Sequence, residues 1–355
     1  MKIALVGNTD FSIYNYRFEL CLALLNKGHD IIVVCPSGNY TKRMIDAGCK
    51  HINISINAHG LNPFQDLKLK RKLISIFKKE KPDYVCGFTI KPNIYGAWAC
   101  KKIGIPFIAN ITGLGPKVEK RGLIHLIALA LYKIAFAEVY LVFCQNEANK
   151  AFFEKHNIAK DRLVLLPGSG VNLKKFDYKT YPSEDTIRFA FVSRIRKDKG
   201  INQFIEAAKA IKHDYKNVEF HVFGKCDTNY LWIQDEPSIV FHGMVDDTVS
   251  IYESIHCLVF PSYYSEGLAN VLLEASATGR PVITTDRAGC REAVDNNVSG
   301  YIIQEKNIDD LIKTIKTFLS LSNSQRAKMG MNARKKMEKE FSRDIVINKY
   351  LSCLI

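Results

Sequence analysis

The fold class this sequence predicts is α/β, built from two successive parallel-sheet domains of the Rossmann-like type. Three observations predict it. Short β-type runs alternate with amphipathic helical stretches from the first residues, the alternation breaks once at residues 167–185, and it then restarts. The length agrees, because 355 residues exceed the roughly 250–300 beyond which a single core stops growing.

In the first half, residues 3–7, 31–35, 51–54, 84–87, 107–111, 140–144 and 163–166 read as strands, and residues 16–26, 67–79 and 96–103 as helices. The break is rich in Gly, Lys, Tyr and Ser and holds Pro182, the composition of a linker. In the second half, residues 187–193, 218–223, 239–241, 257–260 and 281–284 read as strands, and residues 201–211, 249–255 and 268–277 as helices. Residues 309–337 fit two helices, and a final segment follows. The expected domains are 1–170 and 186–340, with 341–355 returning as a helix to the first domain. Ligands of open α/β sheets bind outside the carboxyl ends of the strands, so a cleft between the two sheets is the expected site.

Charge is unevenly spread. Residues 1–180 hold 27 basic and 13 acidic side chains, and residues 181–355 hold 23 of each, so the net +14 belongs to the first half. Such asymmetry points to an anionic partner: a membrane surface, nucleic acid or a phosphorylated substrate. It is equally what a surface tuned for solubility looks like. None of the ten cysteines forms a C-x-x-C pair, which favours a reducing compartment over a disulfide framework. No signal peptide is expected at the N-terminus, and residues 123–143 read as a helix followed by a strand, not a membrane span. The expected location is the cytoplasm, with peripheral attachment to the inner face of the membrane.

The strongest local signal is the stretch 261–275, in which a buried strand runs through Glu266 and Gly267 into a helix starting near Leu268. At such a helix start, the backbone N–H groups of Gly267, Leu268, Ala269, Asn270 and Val271 are expected to suit an anionic phosphate. Glu266 and Glu274 suit sugar or ribose hydroxyls, which a carboxylate accepts in pairs. Read alone, Glu266 is equally a neighbour of an N-cap and Glu274 a solvated helix residue. A second signal is the β-run ending at Ser193, followed by Arg194, Lys199 and Gly200. Two cations there match a diphosphate leaving group, although a solvated loop reads the same way in isolation.

No D-x-D triplet occurs, nor any cluster of His and Cys with metal spacing. Leaving-group stabilisation by side chains and a helix end is therefore expected, with no metal and no cofactor. The first βα turn, residues 7–17, lacks G-x-G-x-x-G, and no acidic residue ends the second strand, so a dinucleotide is disfavoured. Its polar and aromatic residues, among them Asn15 and Arg17 at an expected helix start, suit an acceptor carrying phosphate and sugar, with a purely structural turn as the alternative. Lys91, Asn110, Thr112 and Gly113, at the expected carboxyl ends of first-domain strands, complete the acceptor candidates. Lys117, Lys120 and Arg121 before an apolar helix, and Lys68, Lys70, Arg71 and Lys72 interleaved with Phe64 and Leu69, resemble membrane-surface contacts, although either set alone reads equally as a core-facing helix with solvated charges.

With these residues in place, the chain resembles glycosyltransferase family 4, of the two-domain GT-B architecture, over essentially its full length. The resemblance rests on Glu266-x7-Glu274, the Arg194…Lys199 pair, the linker 168–172 and the stretch 280–292. The patterns at 91–96, 111–115 and 143–146 further resemble the branch that extends polyprenyl-diphosphate-linked sugars in bacterial surface polysaccharide assembly. The resemblance implies a retaining transferase moving a hexose or N-acetylhexosamine from a UDP-sugar to a lipid-linked saccharide. It implies that Arg194 and Lys199 bind the diphosphate, Glu274 the ribose and Glu266 the transferred sugar. Backbone groups of residues 268–271 would hold sugar and phosphate oxygens, and Phe223, Gly224, Gly243 and Met244 would border the base. Two departures stand out. The histidine that many members carry after the fifth strand is absent, leaving Asn110 or Thr112 to touch the sugar. Ala269-Asn270 also replaces the usual proline-containing pair, which bears on sugar choice. A GT-B enzyme with a soluble acceptor, a sugar-nucleotide epimerase and a non-enzymatic nucleic-acid binder are the alternatives.

Overall fold

The structure, a computed structural model, describes residues 1–57, 63–183 and 185–354, without the side chain of Lys117. Lys117 of the basic loop, residue 184 of the linker and the last residue of the segment 341–355 thus lie outside the described set. The chain forms two compact units, Met1–Ser169 with Ile345–Ile355, and Gly170–Asp344.

The first unit holds β1 (Lys2–Val6), α1 (Asp10–Asn26), β2 (Asp30–Cys35), α2 (Thr41–Asp46), β3 (Lys50–Asn53), α3 (Pro63–Glu80), β4 (Tyr84–Phe88), α4 (Ile90–Ile103), β5 (Phe107–Ile111), α5 (Pro116–Glu119), α6 (Leu123–Ala135), β6 (Leu141–Cys144), α7 (Glu147–Lys155) and β7 (Leu163–Leu165). The sheet is parallel in the order β3-β2-β1-β4-β5-β6-β7, so successive connections diverge between β1 and β4. Both faces are covered. Ala4, Val6, Ile32 and Val34 enter one core, while Ile3, Leu5, Ile31 and Val33 enter the other, which is why the strands read as unbroken apolar runs.

The second unit holds β8 (Ile187–Val192), α8 (Ile201–Asp214), β9 (Val218–Phe223), β10 (Val240–Gly243), α9 (Thr248–Ser254), β11 (Cys257–Phe260), α10 (Asn270–Ala277), β12 (Val282–Thr285), β13 (Gly300–Ile303), α11 (Ile308–Ser320) and α12 (Asn323–Glu340). Its parallel order is β10-β9-β8-β11-β12-β13, and here the connections diverge between β8 and β11. The last helix, α13 (Arg343–Cys353), begins at the end of this unit and runs into the first, where Tyr350 is buried against Phe88 and Phe143.

Three differences from the sequence reading have local causes. α1 starts at Asp10, with Thr9 accepting from the Ser12 amide; its aromatic and polar first turns hid the helix period. α4 starts at Ile90, because Pro92 sits in the first turn, where its missing N–H costs nothing. β13 went unread because its short buried run is set between polar turns. Within the second unit, Val171 and Ser342 form a parallel bridge. The Val171 amide donates to the Phe341 carbonyl at 2.8 Å and the Arg343 amide to the Val171 carbonyl at 2.9 Å. The two segments that leave this unit are thereby joined side by side.

Candidate active site

The loops after β8 and β11 leave neighbouring strands at the point where the second sheet reverses its order, the position at which open α/β sheets bind ligands. Two glycines hold them together. Gly200 lies at φ +85°, and a Cβ there would meet the Pro261 carbonyl oxygen at 2.2 Å, so only glycine lets the β8 loop approach the start of the β11 loop. Gly289, at φ +87° after β12, would place a Cβ 2.7 Å from the Glu266 Cβ. The Tyr263 amide donates to the Asp198 carbonyl at 3.0 Å, adding a backbone strut between the first two loops.

This framework brings Lys199 and Glu266 together. Lys199 Nζ donates to Glu266 Oε1 in an ion pair whose side chains are 8% and 16% exposed. The ammonium also lies 4.6 Å from the centre of the Tyr264 ring. Arg194 follows β8 and is exposed. Burial, with the nearby charge of Glu266, pushes the Tyr264 phenol up, and the charge of Arg194 opposes that shift. The phenol thus senses both charges.

Glu274 sits in the second turn of α10, where the Tyr252 hydroxyl donates to its Oε2 at 3.0 Å. Burial pushes the Glu274 carboxyl up to about 7, against the opposing effects of the Tyr252 bond and the charges of Lys175 and Arg343. Behind it, the fully buried Arg280 donates to the carbonyls of Tyr252, Glu253, Lys179 and Thr180 at 2.6–3.1 Å. It closes the end of α9 and fixes the backbone that carries Tyr252. On the remaining edge, Gly224 at φ +146° would place a Cβ 1.7 Å from the Ser193 carbonyl oxygen. Its amide donates to the Gly243 carbonyl at 2.7 Å, while Phe223 stacks on His242 and Met244 is exposed.

Several expected contacts are corrected. The helix starts at Asn270, not Leu268, and the Ala269 amide already donates to the Gly289 carbonyl at 2.8 Å, so it is not a free donor. Asn270 Oδ1, in contrast, is buried without a hydrogen-bond partner among the described residues. In the first unit, Lys91 is buried in an ion pair with Asp66 at 2.6 Å, and Tyr95 donates to the same carboxylate at 3.1 Å. The pair joins the first turn of α4 to the first turn of α3. Asn110 is fully buried: it donates to the Tyr350 hydroxyl at 2.8 Å and accepts from Gln145 at 2.9 Å, so it serves the core. Arg17 lies two turns inside α1, buried with its guanidinium 4.7 Å from the Phe88 ring. The Asn15 amide donates back to the Phe11 carbonyl at 3.0 Å. Thr112 and Gly113 remain half-buried after β5.

Sequence reasoning missed two groups at the reversal point of the first sheet. Asn8 Oδ1 after β1 and Thr89 Oγ1 after β4 are buried without hydrogen-bond partners among the described residues. Thr89 also holds φ +74° and ψ 167°, a conformation that costs a β-branched residue about 1–3 kcal/mol and tends to mark functional positions. Its place three residues ahead of Pro92, in the stretch between a strand and a helix, was the hint the sequence offered. Among the described residues no group of three or more His, Cys, Asp or Glu side chains is placed to hold a metal ion.

Two parallel-sheet units with these loops define a sugar-transferring enzyme of the GT-B fold, and the chain belongs to the glycosyltransferase family. The profile for glycosyl transferases group 1 matches residues 174–336, and that for glycosyl transferase 4-like proteins matches residues 2–146. The capsular polysaccharide biosynthesis glycosyltransferase CapM of Staphylococcus aureus is 30% identical over 80% of this chain and 79% of its own. The N,N'-diacetylbacillosaminyl-diphospho-undecaprenol α-1,3-N-acetylgalactosaminyltransferase of Campylobacter jejuni is 27% identical over 99% of this chain and 97% of its own. In fold, the chain is similar to Anabaena HepE in complex with UDP, with a TM-score of 0.82 over 100% of this chain and 99% of that one at 16% identity.

Proposed function

We propose that the chain is a retaining, metal-independent transferase. It moves a hexose or N-acetylhexosamine from a UDP-sugar to a saccharide carried on polyprenyl diphosphate. The observation that carries this reading is the Lys199–Glu266 ion pair, set beside the exposed Arg194 at the sheet's reversal point. Arg194 and Lys199 take up the negative charge that develops on the leaving diphosphate, as fixed cations do in a dry site. Backbone N–H groups of Gly267, Leu268, Asn270 and Val271 contribute the positive end of α10. Glu266 accepts hydroxyls of the transferred sugar, and Glu274 those of the ribose. Phe223, Gly224, Gly243 and Met244 border the base. The unpartnered Asn270 Oδ1 supports a part in choosing the sugar.

The acceptor hydroxyl attacks the anomeric carbon on the face that the diphosphate leaves. The new C–O bond forms as the C–O bond to phosphate breaks, and the proton passes to a phosphate oxygen. The α-linked products in the names of relatives support retention. One is the Campylobacter enzyme. Another is an Escherichia coli UDP-Gal:α-D-GlcNAc-diphosphoundecaprenol α-1,3-galactosyltransferase, 25% identical over 94% of this chain and 93% of its own. Those names also support the donor and the lipid-linked acceptor. Residues 186–340 are the donor domain in this reading, and residues 1–170 the acceptor domain, with Asn8, Thr89, Thr112 and Gly113 as its polar contacts.

The enzyme works at the cytoplasmic face of the membrane in this reading. No helix among the described residues is long and apolar enough to cross a membrane. On α6, Leu123 is 74% exposed, and Leu126, Ile127 and Ile134 share its open face. Exposed Lys120 and Arg121 precede it, and Lys68, Arg71 and Lys72 on α3 accompany Phe64, which is 83% exposed. Both helices pack on α4. An apolar stripe with flanking cations suits an anionic leaflet.

The test is transfer of labelled sugar from a panel of UDP- and GDP-sugars to a lipid-diphosphate-linked acceptor in the presence of EDTA. Activity with a UDP-sugar, lost more than tenfold in both Glu266→Gln and Arg194→Ala, is expected. Near-wild-type turnover in both variants removes the site assignment, and abolition by EDTA removes the metal-independent mechanism.

A further inference from the structure

The second unit contains a cavity of about 890 Å3 walled by the turn after β8, the start of α8, the segment after β9, and the loops after β11 and β13. It lies back to back with the ion pair. The strut from the Tyr263 amide to the Asp198 carbonyl divides them. Lys199 and Tyr264 turn to the Glu266 side, while their neighbours Asp198 and Tyr263 line the cavity.

The chemistry of the wall is specific. Asp198 Oδ1, Asn202 Oδ1 and Gln203 Oε1 belong to cavity-lining residues, are buried, and accept no hydrogen bond among the described residues. Three unmet acceptors call for a ligand that brings donors. Phosphate near neutral pH offers mainly acceptor oxygens and only one or two O–H donors, and its negative charge would face the carboxylate of Asp198. The most evident anion-binding group is already occupied, because Arg196 bonds Asp198 Oδ2 at 2.8 Å and approaches Asp227 at 4.0 Å. Aromatic rings supply the rest of the wall. Tyr230 and Trp232 lie 6.3 Å apart at 36°, and Tyr263 stands beside them with Lys306 over its ring. Hydroxyl donors on one side and an apolar C–H face on the other describe an uncharged sugar ring. We infer that this cavity is a second saccharide site, which takes a neutral sugar unit of an oligosaccharide independently of the nucleotide.

The chain has two tryptophans, so Trp98→Phe leaves Trp232 as the sole indole reporter. Its emission is followed during titration with lactose, maltose, chitobiose and N-acetyllactosamine, each with and without saturating UDP, and with inorganic phosphate. The expected result is a saturable change with at least one disaccharide, retained in the presence of UDP and absent with phosphate. In the same background, Asn202→Leu with Gln203→Leu should weaken that disaccharide at least tenfold while UDP affinity is unchanged. If the double variant fails to fold, Gln203→Ala alone is read, with an expected loss of about threefold. The inference is overturned if no disaccharide gives a saturable change, if UDP abolishes it, if phosphate reproduces it, or if folded variants bind as the parent does. It stands or falls apart from the donor-site assignment, because UDP binding is measured in the same samples.

Discussion

Lys199 and Glu266 are 67 positions apart in sequence, yet they form a direct ion pair with little exposure, held by a glycine beside each partner. Removing one member of such a pair strands the other charge, which typically costs about 3–5 kcal/mol. Lys199→Met should therefore lower stability and cut transfer by well over tenfold, whereas Glu266→Gln should spare more of the stability. Urea unfolding and kcat/KM for both variants check this. Equal stability losses with intact turnover would reduce the pair to a structural brace.

Gly200 and Gly104 offer a matched contrast. Both have positive φ, +85° and +73°, but a Cβ at Gly104 meets nothing within 4 Å, while one at Gly200 meets the Pro261 backbone. Gly104→Ala should cost only the left-handed strain, about 1–2 kcal/mol, with turnover unchanged. Gly200→Ala must also separate the two loops, so Lys199 withdraws from Glu266 and transfer falls more than tenfold. Melting temperatures and initial rates distinguish the two. An active Gly200→Ala enzyme would show that the loops tolerate separation.

The βα rhythm was legible because strands buried on both faces read as unbroken apolar runs, as in Ile3–Val6 and Phe189–Val192. Arg194, Lys199 and Glu266 stood out as candidates because they lie in the loops that follow buried strands, and Glu274 because it stands eight positions beyond Glu266 in the helix that the second loop enters. What the sequence could not show was pairing. Lys91 looked free until α4 was seen to begin at Ile90 and turn it onto Asp66. Asn110 looked exposed until α13 delivered Tyr350 to it from 240 positions away. The strain at Thr89 and the unmet acceptors beside Tyr263 depend on dihedral angles and on loops distant in sequence.

Glu274 sets a pH dependence. Its carboxyl ionises near 7 in the folded chain because of burial, against about 4.3 when unfolded. Below about 4.3 both states hold the proton and the group is neutral to stability. As pH rises toward 7 the unfolded chain releases its proton first, so stability is lost across that window and levels off above it. Glu274→Gln should remove this slope, and Tyr252→Phe, which deletes a bond favouring the carboxylate, should shift it upward. Ribose hydroxyls favour the ionised form, so UDP-sugar affinity should rise from pH 6 to 8 in the wild type and stay flat in Glu274→Gln. Melting curves and calorimetric titrations over pH 4–8 decide it. Parallel wild-type and Glu274→Gln profiles would remove the assignment.

Arg280 fixes Glu274 indirectly. Its guanidinium serves four carbonyls, and burial lowers its pKa to about 10. Arg280→Ala leaves those carbonyls buried without donors, at about 1–3 kcal/mol each where water cannot enter. Arg280→Lys keeps the charge but loses the planar fork. The expected order of stability is wild type, lysine, alanine, with UDP-sugar KM raised in the lysine variant because Tyr252 is less well held. Urea midpoints and KM measure both, and an unchanged KM in Arg280→Lys would separate this clamp from the ribose site.

The exposed face of α6 makes the membrane reading separable from catalysis. Leu123, Leu126 and Ile127 lie on one side of the helix, opposite the buried Ala128, Tyr132 and Ala135, so polar replacements there disturb no core contact. Their exposure in water is a cost that insertion into a leaflet relieves, and each nearby basic residue adds about 1 kcal/mol at an anionic surface. Leu123→Ser, Leu126→Ser and Ile127→Ser together should release the enzyme from phosphatidylglycerol-containing vesicles. Turnover of a lipid-linked acceptor in those vesicles should fall several-fold, while turnover of a short-chain acceptor in solution is unchanged. Raising salt should weaken wild-type binding, because surface charges are screened beyond about 10 Å at 0.1 M. Undiminished vesicle binding by the triple variant would place the contact elsewhere, and salt-independent binding would leave the cations without a part in it.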